Sequence, residues 1–129
     1  MPHSCEPKFF VCKDCGNVAY LLHDAGVPIV CNGEPMTRLD PSVSEGAGEK
    51  HKPVVNISQN IVKVEVGSVY HPMEQSHSIQ WIYLQTEKGG QLRFLADDEE
   101  PRAEFCLHGD KAVAAYAYCY LHGLWKTDV

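Results

Sequence analysis

The second half of the chain reads as antiparallel β structure. Val62, Val64 and Val66 alternate with Lys63 and Glu65, and Ile79, Trp81 and Tyr83 alternate with Gln80, Ile82 and Leu84, which is the two-residue period of a strand. A Gly89-Gly90 turn leading into Gln91 to Ala96 predicts a hairpin. In the first third, Gly16, Gly26, Pro28, Gly33 and Pro35 cut the stretch from Lys8 to about Leu39 into strand-sized pieces such as Asn17 to Leu22 and Val27 to Val30. Lys111 to Leu121 stays open on pattern alone. As a strand it sets Val113, Ala115, Ala117, Cys119 and Leu121 against three tyrosines; as a helix, Val113, Tyr116, Ala117 and Tyr120 form an equally good stripe. Alanine favours the helix and tyrosine the strand.

Between the two regions runs DPSVSEGAGEKHKP, a polar stretch without periodicity that reads as a long loop. It divides the chain into a small unit over residues 1–39 and a larger one over 40–129. A unit under about 40 residues buries little core and ordinarily needs a metal, a disulfide or a partner subunit. The run Asp97 to Glu100 before Pro101 is read as a solvated loop at a sheet edge.

Composition narrows the functional classes. With 44% hydrophobic and 22% charged residues the chain has the make-up of a folded globular protein. Its formal charge of -6 repels a nucleic-acid backbone or an anionic membrane. No apolar stretch approaches the ~20 residues of a membrane span, and MPHSCEPKFF lacks the basic start and apolar core of a secretory signal. The expected location is therefore the cytoplasm, where clustered thiols serve metal binding or catalysis more often than disulfides.

The chain holds 6 Cys and 7 His. CKDCG at 12–16 and VCNGEPM at 30–36 form one group, in which Cys12, Cys15 and Cys31 supply three thiolates and Asn32 stands where a tetrathiolate site needs a fourth. Such a site is either a metal knuckle now held by packing or dimerisation, or a site that still takes zinc with water or Cys5 completing it; a rubredoxin-like iron is not expected. The second group is His51, His71, His77, Cys119 and His122, in H-K-P, H-P-M-E-x-x-H and C-x-x-H. Pro72 biases His71 toward an extended conformation, and the short Met73 to Ser76 loop can return His77 to the same ion. Cys119 and His122 share a centre only if the chain leaves the sheet at or just after Cys119, because strand residues three apart face opposite sides. Cys106 is expected as core or strand filler. His3, His23 and His108 fall on predicted loops.

In order, EKHKPV at 49–54, GSVYHPMEQSHSIQWI at 67–82 and YCYLHGLWK at 118–126 resemble the superoxide reductase family, also called desulfoferrodoxin and neelaredoxin. The segment FVCKDCGNVAYLLHDAGVPIVCNGEPM resembles the desulforedoxin-like domain of its two-domain members. The resemblance implies an all-β protein: a small desulforedoxin-like domain, then an immunoglobulin-like β-sandwich, commonly paired as a homodimer. It decides the 111–119 segment as strand. It implies a non-haem iron with His51, His71, His77 and His122 equatorial and Cys119 axial, one-electron reduction of superoxide to hydrogen peroxide, and a rubredoxin-like electron donor.

Two further residues take roles from the same resemblance and from charge. Lys50 beside His51 is expected to guide the anion, because a protein of charge -6 repels superoxide unless the cleft is locally positive. An ammonium ~4 Å from the anion is worth about 4 kcal/mol at an effective dielectric near ~20. Glu49 resembles the family carboxylate that occupies the open position of the ferric resting enzyme. The rival readings are a non-catalytic iron or zinc module for electron transfer or metal binding, and an immunoglobulin-like interaction domain with a vestigial knuckle.

Overall fold

The computed structural model describes residues 6–42, 51–66, 78–120 and 122–129. Their elements are all β-strands, and no helix among them is long and apolar enough to cross a membrane. They fall into two compact units, Glu6–Asp40 and Pro41–Val129.

In the first unit, β1 (Phe9–Val11), β2 (Val18–Tyr20) and β5 (Thr37–Arg38) form a small antiparallel sheet in the order β2-β1-β5, and β3 (Val30–Cys31) pairs with β4 (Glu34–Pro35). The β3–β4 connection is Asn32-Gly33, both with positive φ (52° and 78°), a two-residue turn of the kind that matches the twist of a hairpin. The strand expected at Val27 to Val30 begins only at Val30. Ahead of it Gly26 sits at φ 82°, Asp24 Oδ1 accepts its N–H at 2.8 Å, and Pro28 has no N–H to offer a ladder. The Gly26 N–H, and then the Lys8 ammonium 3.2 Å away, hold the Asp24 carboxyl below its ordinary range. Little is buried here: Pro7, Phe9, which is in edge contact with Tyr20, and Cys12 are its buried apolar side chains among the described residues.

The second unit is a sandwich. β6 (Pro53–Ser58), β7 (Ile61–Val66) and β10 (Arg102–Cys106) form one sheet in the order β10-β7-β6; β8 (Ile79–Thr86), β9 (Gly89–Phe94), β11 (Ala112–Cys119) and β12 (Gly123–Asp128) form the other in the order β12-β11-β8-β9. Every pairing is antiparallel. The core between them contains Val62, Val64 and Val66 from β7, Ile82 and Leu84 from β8, Phe105 from β10, and Ala115, Ala117 and Cys119 from β11. The fold is thus an all-β, immunoglobulin-like sandwich, with 111–121 resolved as strand through Cys119. Ala115 and Ala117 face the core, while Tyr116 and Tyr118 lie on the other face beside Tyr83 and Trp81, the last stacked on Tyr118 at 5.3 Å.

The β8–β9 hairpin turns two residues earlier than its glycines suggest. Thr86 pairs with Gly89, so the turn is Glu87-Lys88, whose backbone N–H groups donate to Lys111 O (3.0 Å) and Asp110 Oδ1 (3.2 Å). The Thr86 hydroxyl and the Lys111 and Lys88 N–H groups keep the Asp110 carboxyl below its ordinary range. Gly90 lies inside β9 opposite Gln85, where the Tyr83 phenol crosses it; a Cβ there would overlap the Tyr83 ring and approach Leu84 O to 2.9 Å. Close approach, not the turn, requires that glycine. Gly90→Ala should cost about 1–3 kcal/mol, the usual penalty of overpacking. The check is a lower denaturant midpoint at unchanged m-value; an unshifted midpoint would show that Tyr83 moves aside freely.

Candidate functional site

The end of β11 is built to reverse. Cys119 pairs with Gly123, leaving a three-residue connection, and Gly123 takes φ 84°, the left-handed conformation that closes such hairpins. The reversal puts Cys119 and His122 on the same side, with Cys119 Sγ 3.7 Å from His122 Nδ1. Opposite, the register of β8 slips: Tyr118 pairs with Trp81 but Cys119 with Ile79, so Gln80 is the extra residue of a bulge. The slip turns Ile79 into the core next to Cys119, which is itself 0% exposed.

His51 arrives from the other sheet, two residues before β6. The Thr127 hydroxyl donates to Pro53 O and ties β6 to β12. The His51 ring stacks on Trp125 (5.1 Å between centroids, 19° between planes) and meets His122 edge-on at 4.5 Å. His51 Nε2 and His122 Nδ1 are 2.8 Å apart. Ser42 forms a parallel bridge to Trp125, its N–H donating to Leu124 O and its carbonyl accepting from Lys126 N–H. Burial holds the Tyr118 phenol above its ordinary value, and the neighbouring Cys119 and Tyr120 add to that.

The ligand atoms of His51, Cys119 and His122 lie within 4.8 Å of one another. Two imidazoles and a thiol form a donor set that suits iron or zinc, so these residues fit a bound transition metal. His51 and Cys119 are buried and His122 is exposed, which leaves one side of the group facing solvent. His71, His77, Glu49 and Lys50 lie outside the described residues.

Cys12, Cys15 and Cys31 form the second group, also within 4.8 Å. Cys12 N–H donates to Asn17 O (2.8 Å) and Gly16 N–H to Cys12 O (2.7 Å), which shapes the knuckle. The Cys31 side chain and the Cys15 and Asp14 backbone hold the Cys12 thiol down to about 7, and the same sharing pushes Cys31 up to about 12. Three thiols fit a desulforedoxin-like site but not its tetrathiolate iron: Asn32 is the first residue of the hairpin turn and offers only a neutral, hard amide. Of the two expectations for Cys106, strand filler holds and core does not: it ends β10, exposed, with Asn60 Nδ2 3.6 Å from its sulfur, because its neighbours Phe105 and Leu107 take the inward positions. Cys5 lies outside the described residues.

The family profile of desulfoferrodoxin matches residues 43–128. The desulfoferrodoxin of Nitratidesulfovibrio vulgaris is 45% identical over 128 residues, 99% of each chain. The chain belongs to the desulfoferrodoxin family. The superoxide reductase of Pyrococcus abyssi is 38% identical over 64% of this chain and 87% of its own. Among solved structures, the superoxide reductase of Treponema pallidum superposes with a TM-score of 0.80 at 38% identity, covering 95% of this chain and 98% of that one. The family resemblance read from the motifs therefore stands.

Trp125 carried no assignment in the sequence, although it lies in the same YCYLHGLWK motif as Cys119 and His122. Its Nε1–H is buried without a hydrogen-bond partner among the described residues. The ring supports His51 through its face. Trp125→Phe should therefore be close to neutral in stability, whereas Trp125→Ala should cost about 3–5 kcal/mol for the emptied volume. Urea denaturation of the two variants checks this; equal losses would mean that the indole N–H is worth as much as the ring.

Proposed function

We propose that this chain is a superoxide reductase, reducing superoxide by one electron to hydrogen peroxide at a non-haem iron held by His51, His71, His77, His122 and Cys119. The observation that supports it most is the meeting of His51 Nε2, His122 Nδ1 and the buried Cys119 sulfur at the end of the sandwich. Bound there, iron would supply the transferable electron and an open coordination position.

Neutral imidazoles add no charge, and one thiolate lowers the site's net charge without cancelling it, so a small anion is attracted. The Cys119 sulfur is the soft, electron-rich donor, kept dry by Ile79 and the core around it. Trp125 fixes the plane of His51. Exposure of His122 favours access by small molecules. Lys50, adjacent to His51, is assigned to drawing the anion in, and Glu49 to closing the open position between turnovers.

The same reading takes residues 1–39 as a desulforedoxin-like domain and 40–129 as the catalytic domain, in a cytoplasmic protein. Exposed Val18, Tyr20, Leu22, Val27 and Val30 in the small unit support pairing of two chains as a homodimer. A rubredoxin-like protein is the assigned electron donor. The test is consumption of superoxide with one peroxide formed per superoxide and no dioxygen evolved by the protein. Dioxygen evolution, or no consumption by the iron-loaded protein, would overturn the reading.

Cys119→Ser should keep the fold and the metal but lose the sulfur-to-metal charge-transfer band and most of the activity, since serine is a harder and poorer donor. A wild-type visible spectrum in that variant would exclude Cys119 as a ligand.

Lys50→Ala should slow the second-order reaction with superoxide at unchanged metal content, with the difference shrinking as salt rises. Rapid-mixing kinetics at low and high ionic strength decide it. Lys52 nearby limits the loss to a modest one.

A further inference from the structure

Among the described residues the small unit keeps three thiols close together, and the position after Cys31 is Asn32 where a tetrathiolate set needs a cysteine. Cys15 Sγ and Cys31 Sγ are 3.5 Å apart, Cys15 exposed and Cys31 half-buried, with Cys12 buried behind them. Both sulfurs stand on turns whose backbones are pinned. Cys15 lies within the knuckle closed by the Gly16 N–H to Cys12 O bond, and Cys31 heads the Asn32-Gly33 hairpin, which is locked to its flank by Met36 N–H donating to Ile29 O at 2.7 Å. A cavity of about 260 Å³, lined by Cys12, Lys13, Asp14, Cys31, Glu34, Pro35 and Thr37, opens beside Cys31 on the side of Cys12, while Cys15 is reached directly from solvent. A disulfide needs the sulfurs at about 2.05 Å, an approach that side-chain rotation at an exposed cysteine can supply.

We propose that Cys15 and Cys31 form a peroxide-reactive dithiol that consumes one hydroperoxide per chain and closes as a disulfide. The exposed Cys15 sulfur attacks one peroxide oxygen; an S–O bond forms, the O–O bond breaks, and the thiol proton leaves with the second oxygen as water. The Cys31 sulfur then attacks the Cys15 sulfenic acid; the S–S bond forms, the S–O bond breaks, and a second water leaves. Two thiols are oxidised by two electrons and one hydrogen peroxide is reduced to two waters. The inference rests on the proposed function only for the origin of the peroxide, which is the product of that reaction. Asn32 in place of a cysteine after Cys31 is then what leaves these sulfurs without a tetrathiolate partner at that position.

The experiment uses the full-length protein, reduced under anaerobic conditions, with one equivalent of hydrogen peroxide added directly, then alkylation and tryptic mapping without reductant. Cys15 and Cys31 fall in one tryptic peptide, residues 14–38, and Cys12 in another, residues 9–13. The 14–38 peptide should lose two hydrogens and take up no alkylating agent, while the 9–13 peptide is alkylated. In Cys31→Ser, Cys15 should instead be captured as sulfenic acid by a cyclic 1,3-dione. All three cysteines still alkylated after peroxide, zinc retained with the thiols unreactive, or a link through Cys12 would each overturn the inference. Because the peroxide is added from outside, a protein that forms the disulfide but leaves superoxide untouched would sink the proposed function alone.

Discussion

Residues three apart on a strand face opposite sides, so Cys119 and His122 can share one ion only if the chain reverses between them. Gly123 makes that reversal possible: paired with Cys119 and held at φ 84°, it closes a three-residue connection that swings His122 Nδ1 back to the sulfur. The bulge at Gln80 finishes the arrangement from the neighbouring strand by rotating Ile79 into the core behind Cys119. The thiol thus sits at the boundary between a packed hydrocarbon interior and a solvent-facing turn. Interior packing fixes its position, and the turn brings it a partner.

His51 reaches this point along a separate path. It precedes β6 in the opposite sheet, 71 residues before His122, and nothing local to it encodes the meeting. Two contacts bridge the sheets: the Thr127 hydroxyl on Pro53 O, and the face of Trp125 on the imidazole ring. Both come from β12, the strand that follows the reversal, so the turn that brings in His122 also delivers the support for His51. Ser42 is bridged to the same tryptophan.

Much of this was legible in the chain, for stated physical reasons. The period of two at Val62, Val64 and Val66 marks an interior strand face, and all three are fully buried. In β8 the alternation blurs because both faces are covered: Ile82 and Leu84 fill the sandwich while Trp81 and Tyr83 pack among tyrosines of β11. The Gly89-Gly90 pair suggested a turn, yet the second glycine answers the Tyr83 ring, a contact that propensity cannot reveal. For β11 the alanines and tyrosines balanced each other, and only the resemblance chose the strand. Of the candidate ligands, the C-x-x-H spacing pointed to Cys119 and His122 directly. Trp125 went unassigned because an aromatic residue in a strand reads first as core.

The two thiol groups show how surroundings assign different chemistry to one side chain. Cys119 has an inert hydrocarbon wall on one side and imidazoles on the other, so no second sulfur is near enough to couple with it among the described residues and its available role is to hold a metal. Cys15 and Cys31 sit in a unit with little core, on tight turns, one of them exposed, each within reach of another sulfur. There a fourth donor would have committed all of them to a metal. Asn32 supplies the positive φ that the hairpin needs without supplying that donor. Among the described residues the turn geometry is satisfied and a tetrathiolate set is not, and that separation of the two requirements is what the proposed dithiol chemistry of the small unit rests on.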